Sequence, residues 1–135
     1  MLSLAEAAKL HGHLGPWLVV GYKAGLLARE LLKPQRDSDM FCLLRIPLKI
    51  PFSCIADGVQ SSAGCTLGKL SIVIEDSNDF VIEFTNRVSG RRITIKIRTD
   101  IVDKIRRLIE EQGLEGAARC IENTPPEEIF EIVVS

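Results

Sequence analysis

The stretch from Pro16 to Leu32 constrains the fold more than any other part of this chain of 135 residues. Its apolar residues lie nearly all round a predicted helix, which is typical of a helix that is buried on every side. Pro16 is favoured at the first position of a helix, and Pro34 ends the pattern. Gly21 and Gly25 are four residues apart and form a flat face for close packing, either inside one copy of the chain or between two copies. We therefore predict a central buried helix.

The remaining segments predict short helices and strands around it. Helices are expected over residues 2–10, 52–63, 99 or 100 to about 112, and 114–121. Strands are expected over residues 41–50, 70–75, 80–85 and 91–98, and the last three predict a β-meander because only turn-rich segments separate them. Pro47 predicts that the second half of the first strand lies at an edge or leaves the sheet. Capping boxes are predicted at Ser3 with Glu6 and at Thr124 with Glu127.

The predicted fold class is α+β, with a mostly antiparallel sheet of about four to five strands packed against the central apolar helix and short helices. The length fits a single domain over residues 1–135. The net charge is −1, and acidic and basic residues are interspersed, so we expect no nucleic-acid partner and no membrane partner. The N-terminal stretch does not resemble a secretory signal, which predicts a cytoplasmic protein. The four cysteines form no C-x-x-C pair, which favours thiols or metal ligands over disulfides.

Most of the chemistry is concentrated in two segments, H-G-H-L-G-P at residues 11–16 and G-C-T-L-G-K at residues 64–69. Two histidines with one residue between them can bind the same ion only outside a helix, and Gly12 permits the necessary bend. Imidazole and thiolate are ligands of zinc and similar divalent transition metals. The candidate metal ligands are His11, His13, Cys54 and Cys65, with Asp57 as an oxygen ligand or as the partner of an imidazole.

Other interpretations of the same residues stay open at this point. Free cysteines such as Cys54 and Cys65 are often small buried apolar residues, and either one could instead be a nucleophile activated by a histidine. A phosphate-binding loop is excluded, because G-C-T-L-G-K has three residues between its glycines, is followed by Leu70 and precedes a strand. Lys69 is either a solvated lysine or the binding residue for a small anionic ligand.

Three motifs together resemble one known family. The order and spacing of H-G-H-L-G-P-W-L, F-S-C-I-A-D-G-V-Q and G-C-T-L-G-K are similar to those of FmdE, a family of formylmethanofuran dehydrogenase subunits, over roughly residues 8–98. The resemblance implies an α+β core, a homodimer, and a metal-binding cleft built from the histidine motif and the two cysteine motifs. Carried over position by position, it assigns that cleft the residues His11, His13, Cys54, Asp57, Cys65 and Lys69. Family members are encoded beside molybdenum or tungsten enzymes that fix carbon dioxide as formylmethanofuran.

The chain departs from the family pattern in two places. Gly15 stands where the family has a cysteine, and the paired C-x-x-C motifs of a C-terminal zinc ribbon are not in the sequence. An open ligand position is typical of catalytic rather than structural zinc sites. The first hypothesis is therefore a metal-binding accessory or binding module of molybdenum or tungsten formylmethanofuran dehydrogenase metabolism. The alternatives are a metal-dependent enzyme acting on a small anionic substrate, with Asp57 as base and Lys69 as anion holder, and a metal-free structural dimer.

Overall fold

The computed structural model describes residues 1–134. The helices are α1 (Leu4–His11), α2 (Pro16–Leu32), α3 (Cys54–Ala63), α4 (Thr99–Glu122) and the short α5 (Pro126–Ile129). The strands are β1 (Met40–Ile46), β2 (Ile72–Asp76), β3 (Val81–Asn86), β4 (Arg92–Ile97) and β5 (Phe130–Val134). A short 3-10 turn covers Asp37–Asp39 and precedes β1. The predicted α+β class and the central helix over residues 16–32 are confirmed.

The five strands form one mixed sheet in the order β2-β1-β3-β4-β5. β1 and β2 are parallel, while the other neighbouring pairs are antiparallel. The prediction of a meander over three strands is wrong, because β2 pairs with β1 rather than with β3. Parallel neighbours need a crossover connection, which α3 supplies between β1 and β2. β1 ends at Ile46, so Pro47 leaves the sheet as predicted.

The core lies between one face of the sheet and the helices. The inward residues of β1 alternate with half-buried ones, and those of β4, Ile93, Ile95 and Ile97, are buried as the alternation predicts. α2 contributes residues that are completely buried, including Leu18, Val19 and Val20. Burial at successive positions explains why the first half of the helix is apolar on every side, whereas Leu26 and Glu30 in its second half are exposed.

α2 and α3 pack against each other through glycines. A Cβ atom added at Gly21 would lie 2.0 Å from the carbonyl oxygen of Ile55, and one added at Gly58 would lie 2.2 Å from that of Leu18. Gly25 has the same role against the side chain of Ser62. The flat glycine face of α2 is therefore used inside the chain's own fold, where it allows the two helix backbones to approach closely.

The helix ends partly agree with the predictions. The capping box at Ser3 and Glu6 is present at the start of α1. The box predicted at Thr124 is wrong, because the Thr124 hydroxyl donates to the carbonyl of Cys120 instead. The predicted helices over 99–112 and 114–121 run together as α4, with a break at Gly113, whose φ is 76°. In the described part of the chain, no helix combines the length and apolarity needed to cross a membrane.

Candidate metal site and adjoining cleft

The H-G-H motif forms the junction between α1 and α2. His11 is the last residue of α1, and Gly12 ends that helix in the left-handed conformation, with φ 111°. His13 then lies in the irregular lead-in to α2, where Gly15 is extended. This bend brings the two imidazole rings side by side, with their centroids 4.7 Å apart. The sequence predicts both histidines outside a helix, but only His13 lies outside one, because His11 is the last residue of α1.

α3 supplies the carboxylate that orients His11. The Nδ1 atom of His11 lies 2.6 Å from Oδ2 of Asp57, in the first turn of α3. We assign Nδ1 as the N–H that donates to the carboxylate, which leaves Nε2 with a free lone pair. That Nε2 is buried and has no hydrogen-bond partner among residues 1–134. A carboxylate on one imidazole nitrogen and a free lone pair on the other is the arrangement of metal-ligating histidines.

A small cavity lies against these side chains. Its volume is about 20 Å³, and its walls include His11, His13, Gly15 and Cys54. A cavity of this size holds about one water molecule or ion. Burial raises the pKa of the Cys54 thiol, and the negative charge of Asp57 raises it further. A positively charged ion would counter both effects and favour the thiolate, so these two imidazoles and one thiol fit a zinc-like ion.

The side chains are neighbours without being gathered into a finished metal site. Across residues 1–134, no group of three or more His, Cys, Asp or Glu side chains has the spacing needed to hold a metal ion. His13 is exposed and Cys54 is half-buried, so both can turn towards the Nε2 atom of His11. Coordination therefore requires side-chain rotation, while Asp57 already fixes His11 in place.

Cys65 lies in different surroundings from Cys54. It is completely buried, and burial raises the pKa of its thiol to about 12. Its neighbours include the thiol of Cys42 and the charges of Lys69 and Asp37. Cys65 is not part of the wall of the small cavity. The structure thus brings His11, His13, Cys54 and Asp57 together, and it leaves Cys65 outside that group.

Gln60 connects the predicted motifs, although sequence reasoning did not identify it as a site residue. Its Nε2 donates to Oδ1 of Asp57 at 3.2 Å, and its Oε1 accepts from the backbone N–H of Leu67 at 2.9 Å. One side chain therefore joins the carboxylate that holds His11 to the turn that carries Lys69. The available signal was the spacing, because residues three apart on a helix are neighbours on its surface.

A larger cleft opens on the other side of Asp57. It has a volume of about 450 Å³, and its charged wall groups are the side chains of Asp37, Asp57 and Lys69 and the amino group of Met1. The ammonium group of Lys69 donates to the hydroxyl of Thr66 at 3.0 Å. The carboxylate of Asp37 accepts from Arg29 at 2.6 Å, and this guanidinium lowers the pKa of Asp37. Lys69 and Asp57 thus line one cleft, and the binding of an anion by Lys69 stays a prediction.

Comparison with known proteins gives three findings. The sequence model described as FmdE, molybdenum formylmethanofuran dehydrogenase operon, matches residues 10–131. A probable S-adenosyl-L-methionine-binding protein of Archaeoglobus fulgidus is 24% identical over 118 residues, a match that covers 83% of this chain and 30% of that protein. The chain therefore spans less than a third of the length of this curated relative.

The third finding concerns the fold. The crystal structure of a tungsten formylmethanofuran dehydrogenase FmdE-like protein from Syntrophus aciditrophicus matches with a TM-score of 0.68 and 15% sequence identity. The match covers 98% of this chain and 69% of that one. At this identity the similarity establishes a shared fold for nearly the whole chain, including the helices after residue 99.

Proposed function

The chain belongs to the FmdE family, and from this membership we propose that it is a metal-binding accessory or binding module of molybdenum or tungsten formylmethanofuran dehydrogenase metabolism. The family links it to the operon of that enzyme. Metal binding in this role would depend on the site around His11.

One observation supports metal binding most strongly. The Nε2 atom of His11 is buried without a partner among residues 1–134, while Asp57 accepts a hydrogen bond from the opposite nitrogen of the ring. Leaving a buried polar atom unpaired costs roughly 1–3 kcal/mol, so such an atom indicates a missing ligand. A water molecule could satisfy the lone pair, but the neighbouring His13 and Cys54 favour a metal ion.

We propose zinc or another divalent transition metal, held by His11, His13 and Cys54, with Asp57 orienting His11. We also propose Cys65 as an additional ligand. Because it lies outside the wall of the small cavity, the chain after α3 would have to move. When bound, an ion of this class supplies Lewis-acid chemistry. The chain's own contribution is the fixed orientation of His11, the small cavity and the open position at Gly15.

The test is zinc binding by protein that has been stripped with a chelator and purified without a histidine tag. We expect about one zinc ion per chain by elemental analysis, and a loss of roughly a hundredfold in affinity in His11→Ala and Cys54→Ser. Cys120→Ser is the matched control, because Cys120 is also half-buried but lies on α4. Cys65→Ala separates the three-ligand proposal, in which affinity is unchanged, from the four-ligand proposal, in which it falls.

Unchanged zinc binding in both His11→Ala and Cys54→Ser would contradict this site. If neither zinc, cobalt, nor nickel binds the unmodified protein, the metal proposal fails, and the metal-free structural dimer is the hypothesis that remains. Zinc is the first probe because it accepts imidazole and thiolate ligands in a tetrahedral arrangement.

The homodimer that the family resemblance predicts is a proposal as well. The glycine face of α2 is occupied by α3 and is not free to form it. The outward face of the sheet carries half-buried and exposed side chains, including Leu43, Val73 and Val133, and it is the surface that we propose for the second copy. Sedimentation equilibrium of the unmodified protein and of Leu43→Lys tests this proposal, which predicts a dimer that the charged variant dissociates.

A second candidate function is a metal-dependent enzyme acting on a small anionic substrate. It is supported by Asp57, which lines the cleft beside Lys69 and also contacts His11. A substrate anchored by Lys69 would therefore lie next to the residue that orients the proposed ligand. Hydrolysis of small phosphate and carboxylate esters by zinc-loaded protein tests this function, with Lys69→Gln and Cys54→Ser expected to abolish the activity.

A further inference from the structure

The cleft beside Asp57 has the size and the rigidity of a small-molecule site. Its volume of about 450 Å³ lies within the roughly 300–1,000 Å³ that is typical of such sites. Its floor is the end of α3 and the turn over residues 64–71. Two hydrogen bonds close that turn, from the N–H of Thr66 to the hydroxyl of Ser71 and from the N–H of Ser71 to the carbonyl of Thr66. Gln60 fixes the same turn through Leu67.

The turn presents one cation to the cleft. Lys69 is exposed, and the described side chains provide it with one hydrogen bond, to Thr66. An ammonium group has three N–H donors, so two remain available for an anionic group of a ligand. The hydrogen bond to Thr66 keeps the ammonium group of Lys69 at the cleft wall. The Lys69 side chain therefore loses less conformational entropy when a ligand binds.

The opposite charge comes from the turn before β1. Oδ1 of Asp37 accepts from Arg29, while Oδ2 has no hydrogen-bond partner within residues 1–134. A Cβ atom added at Gly64 would lie 2.8 Å from Oδ2, so this glycine allows the carboxylate to lie against the backbone. Arg29 lowers the pKa of Asp37 most, and the amino group of Met1 and the nearby Lys69 act in the same direction.

The two charges face the same cleft but do not form an ion pair with each other in the described part of the chain. A ligand with only an anionic group would meet two cations, Lys69 and the amino group of Met1, but also two carboxylates, those of Asp37 and Asp57. A ligand with only a cationic group would be repelled by Lys69 and by the amino group of Met1. Leu2 and Leu10 add apolar surface to the same wall.

We propose that this cleft binds a small zwitterion with an apolar side chain, of the α-amino acid class. Its carboxylate pairs with Lys69, its ammonium group pairs with Asp37, and its side chain contacts Leu2 and Leu10. The inference rests on the proposed role of Lys69 in binding an anionic group, and it does not depend on metal binding. Beyond the anionic group, this inference assigns the ligand an ammonium group and an apolar side chain.

Three probes of nearly equal shape test the proposal with metal-free protein: L-leucine, 4-methylpentanoate, which lacks the ammonium group, and 3-methylbutylamine, which lacks the carboxylate. Binding is followed by ¹H–¹⁵N NMR titration of the backbone amides. We expect saturable shifts at the turn over residues 64–71 with L-leucine. We also expect at least about tenfold weaker binding of either analogue, because a hydrogen bond to a charged group contributes about 1.5–3 kcal/mol.

Matched variants identify the residues. Lys69→Gln should abolish binding of L-leucine, while Lys96→Gln, on β4, should leave it unchanged. Asp37→Asn should make L-leucine and 4-methylpentanoate bind equally well, and Asp103→Asn on α4 is its control. The Asp37→Asn spectrum also reports whether that variant keeps the fold, since Asp37 pairs with Arg29.

The outcomes separate this inference from the proposed function. If 4-methylpentanoate binds the unmodified protein as tightly as L-leucine, and Lys69→Gln abolishes both, the cleft binds simple anions and the zwitterion inference is overturned. If none of the three probes shifts the turn, the zwitterion inference fails, while the ester hydrolysis assay still decides whether Lys69 binds an anionic substrate. Zinc binding, measured separately, is unaffected by either result.

Discussion

At the scale of single residues, Gly15 decides how complete the candidate metal site is. Its backbone is extended, with φ −128° and ψ 160°, which any residue can adopt. A Cβ atom added there would lie 3.3 Å from Nε2 of His13. A side chain at this position would therefore begin at the wall of the small cavity, where the family pattern has a cysteine. In the proposed metal site, the glycine leaves this ligand position open.

We expect Gly15→Cys to raise zinc affinity about a hundredfold, because the 10–16 kcal/mol of a four-ligand zinc site corresponds to roughly 3 kcal/mol per ligand. Competition against a chromophoric chelator measures the affinity. Gly15→Ala is the control, since it adds the same Cβ atom without sulfur and should bind zinc like the unmodified protein. Equal affinities in all three proteins would show that position 15 does not face the ion.

Cys65 leads to a prediction about pH. Burial raises the pKa of its thiol to about 12, from an ordinary value near 9, so between these values the unfolded chain has lost a proton that the folded protein retains. The contribution of this thiol to the free energy of unfolding is therefore fully present below about pH 9. Above that pH it falls by at most about 1.4 kcal/mol per pH unit. Urea unfolding at about pH 8 and about pH 10 under reducing conditions measures this effect. The free energy of unfolding should decrease less in Cys65→Ala than in the unmodified protein. An identical decrease in the variant would assign the effect to other groups, of which Cys42 and Tyr22 also have raised pKa values.

The two motif cysteines show what the sequence could not predict at this scale. Cys54 and Cys65 have equal standing in the family pattern, and both are free thiols. Their difference depends on α3, which begins at Cys54 beside the small cavity and ends before Cys65 in the core. The two cysteines lie in different surroundings because of the way α3 packs against α2. The residue types in the motifs and their spacing do not reveal this packing.

At the scale of elements, the contact between α2 and α3 sets the geometry of the site. Asp57 on α3 contacts His11 at the end of α1, and α3 packs closely against α2 through Gly21, Gly25 and Gly58. The flat face of α2 was predictable from the glycine spacing, but its partner was not. The cap at Ser3 was also predictable, because capping is local. The cap at Thr124 failed because its hydroxyl has a competing local acceptor, the carbonyl of Cys120.

We expect Gly21→Ala to destabilise the protein by roughly 3 kcal/mol, at the upper end of overpacking costs, because its Cβ atom would lie 2.0 Å from a backbone oxygen that cannot move alone. Chemical denaturation measures the change. Gly68→Ala is the matched control: a Cβ atom there has no neighbour within 4 Å, so its effect should stay within about 0.5 kcal/mol. Comparable stability of the two variants would mean that α2 and α3 separate at little cost.

At the scale of the whole molecule, the order of the strands was the least predictable feature. A short, turn-rich link between β2 and β3 favours a hairpin, yet β1 lies between them. The link can cross the end of β1 because that strand stops before Pro47: the N–H of Ser77 donates to the carbonyl of Ile46, and Asp76 accepts from the N–H of Leu48. The sequence contains both the proline and the link, but their relation appears only after β1 and β2 have paired through α3.

Lys23 gives a final prediction, because it connects parts of the chain that are about a hundred residues apart. Its ammonium group, on α2, donates to the carbonyls of Ile121 and Glu122 at 3.1 and 2.9 Å and also to that of Thr124, at the end of α4. Ile121 and Glu122 form the end of α4, where carbonyls have no N–H partner within the helix, although the N–H of Thr124 also donates to Ile121. Lys23→Met keeps the apolar stem but removes the donors, so we expect a loss of about 1–3 kcal/mol in the free energy of unfolding.

Urea unfolding measures the loss, and hydrogen exchange should localise it to the last turn of α4. Lys9→Met on α1, where the lysine is exposed, should change stability by less than about 0.5 kcal/mol. Equal stability of the two variants would show that water replaces Lys23 at the carbonyls. A difference would show that α2, whose first residues line the small cavity, also stabilises the end of α4.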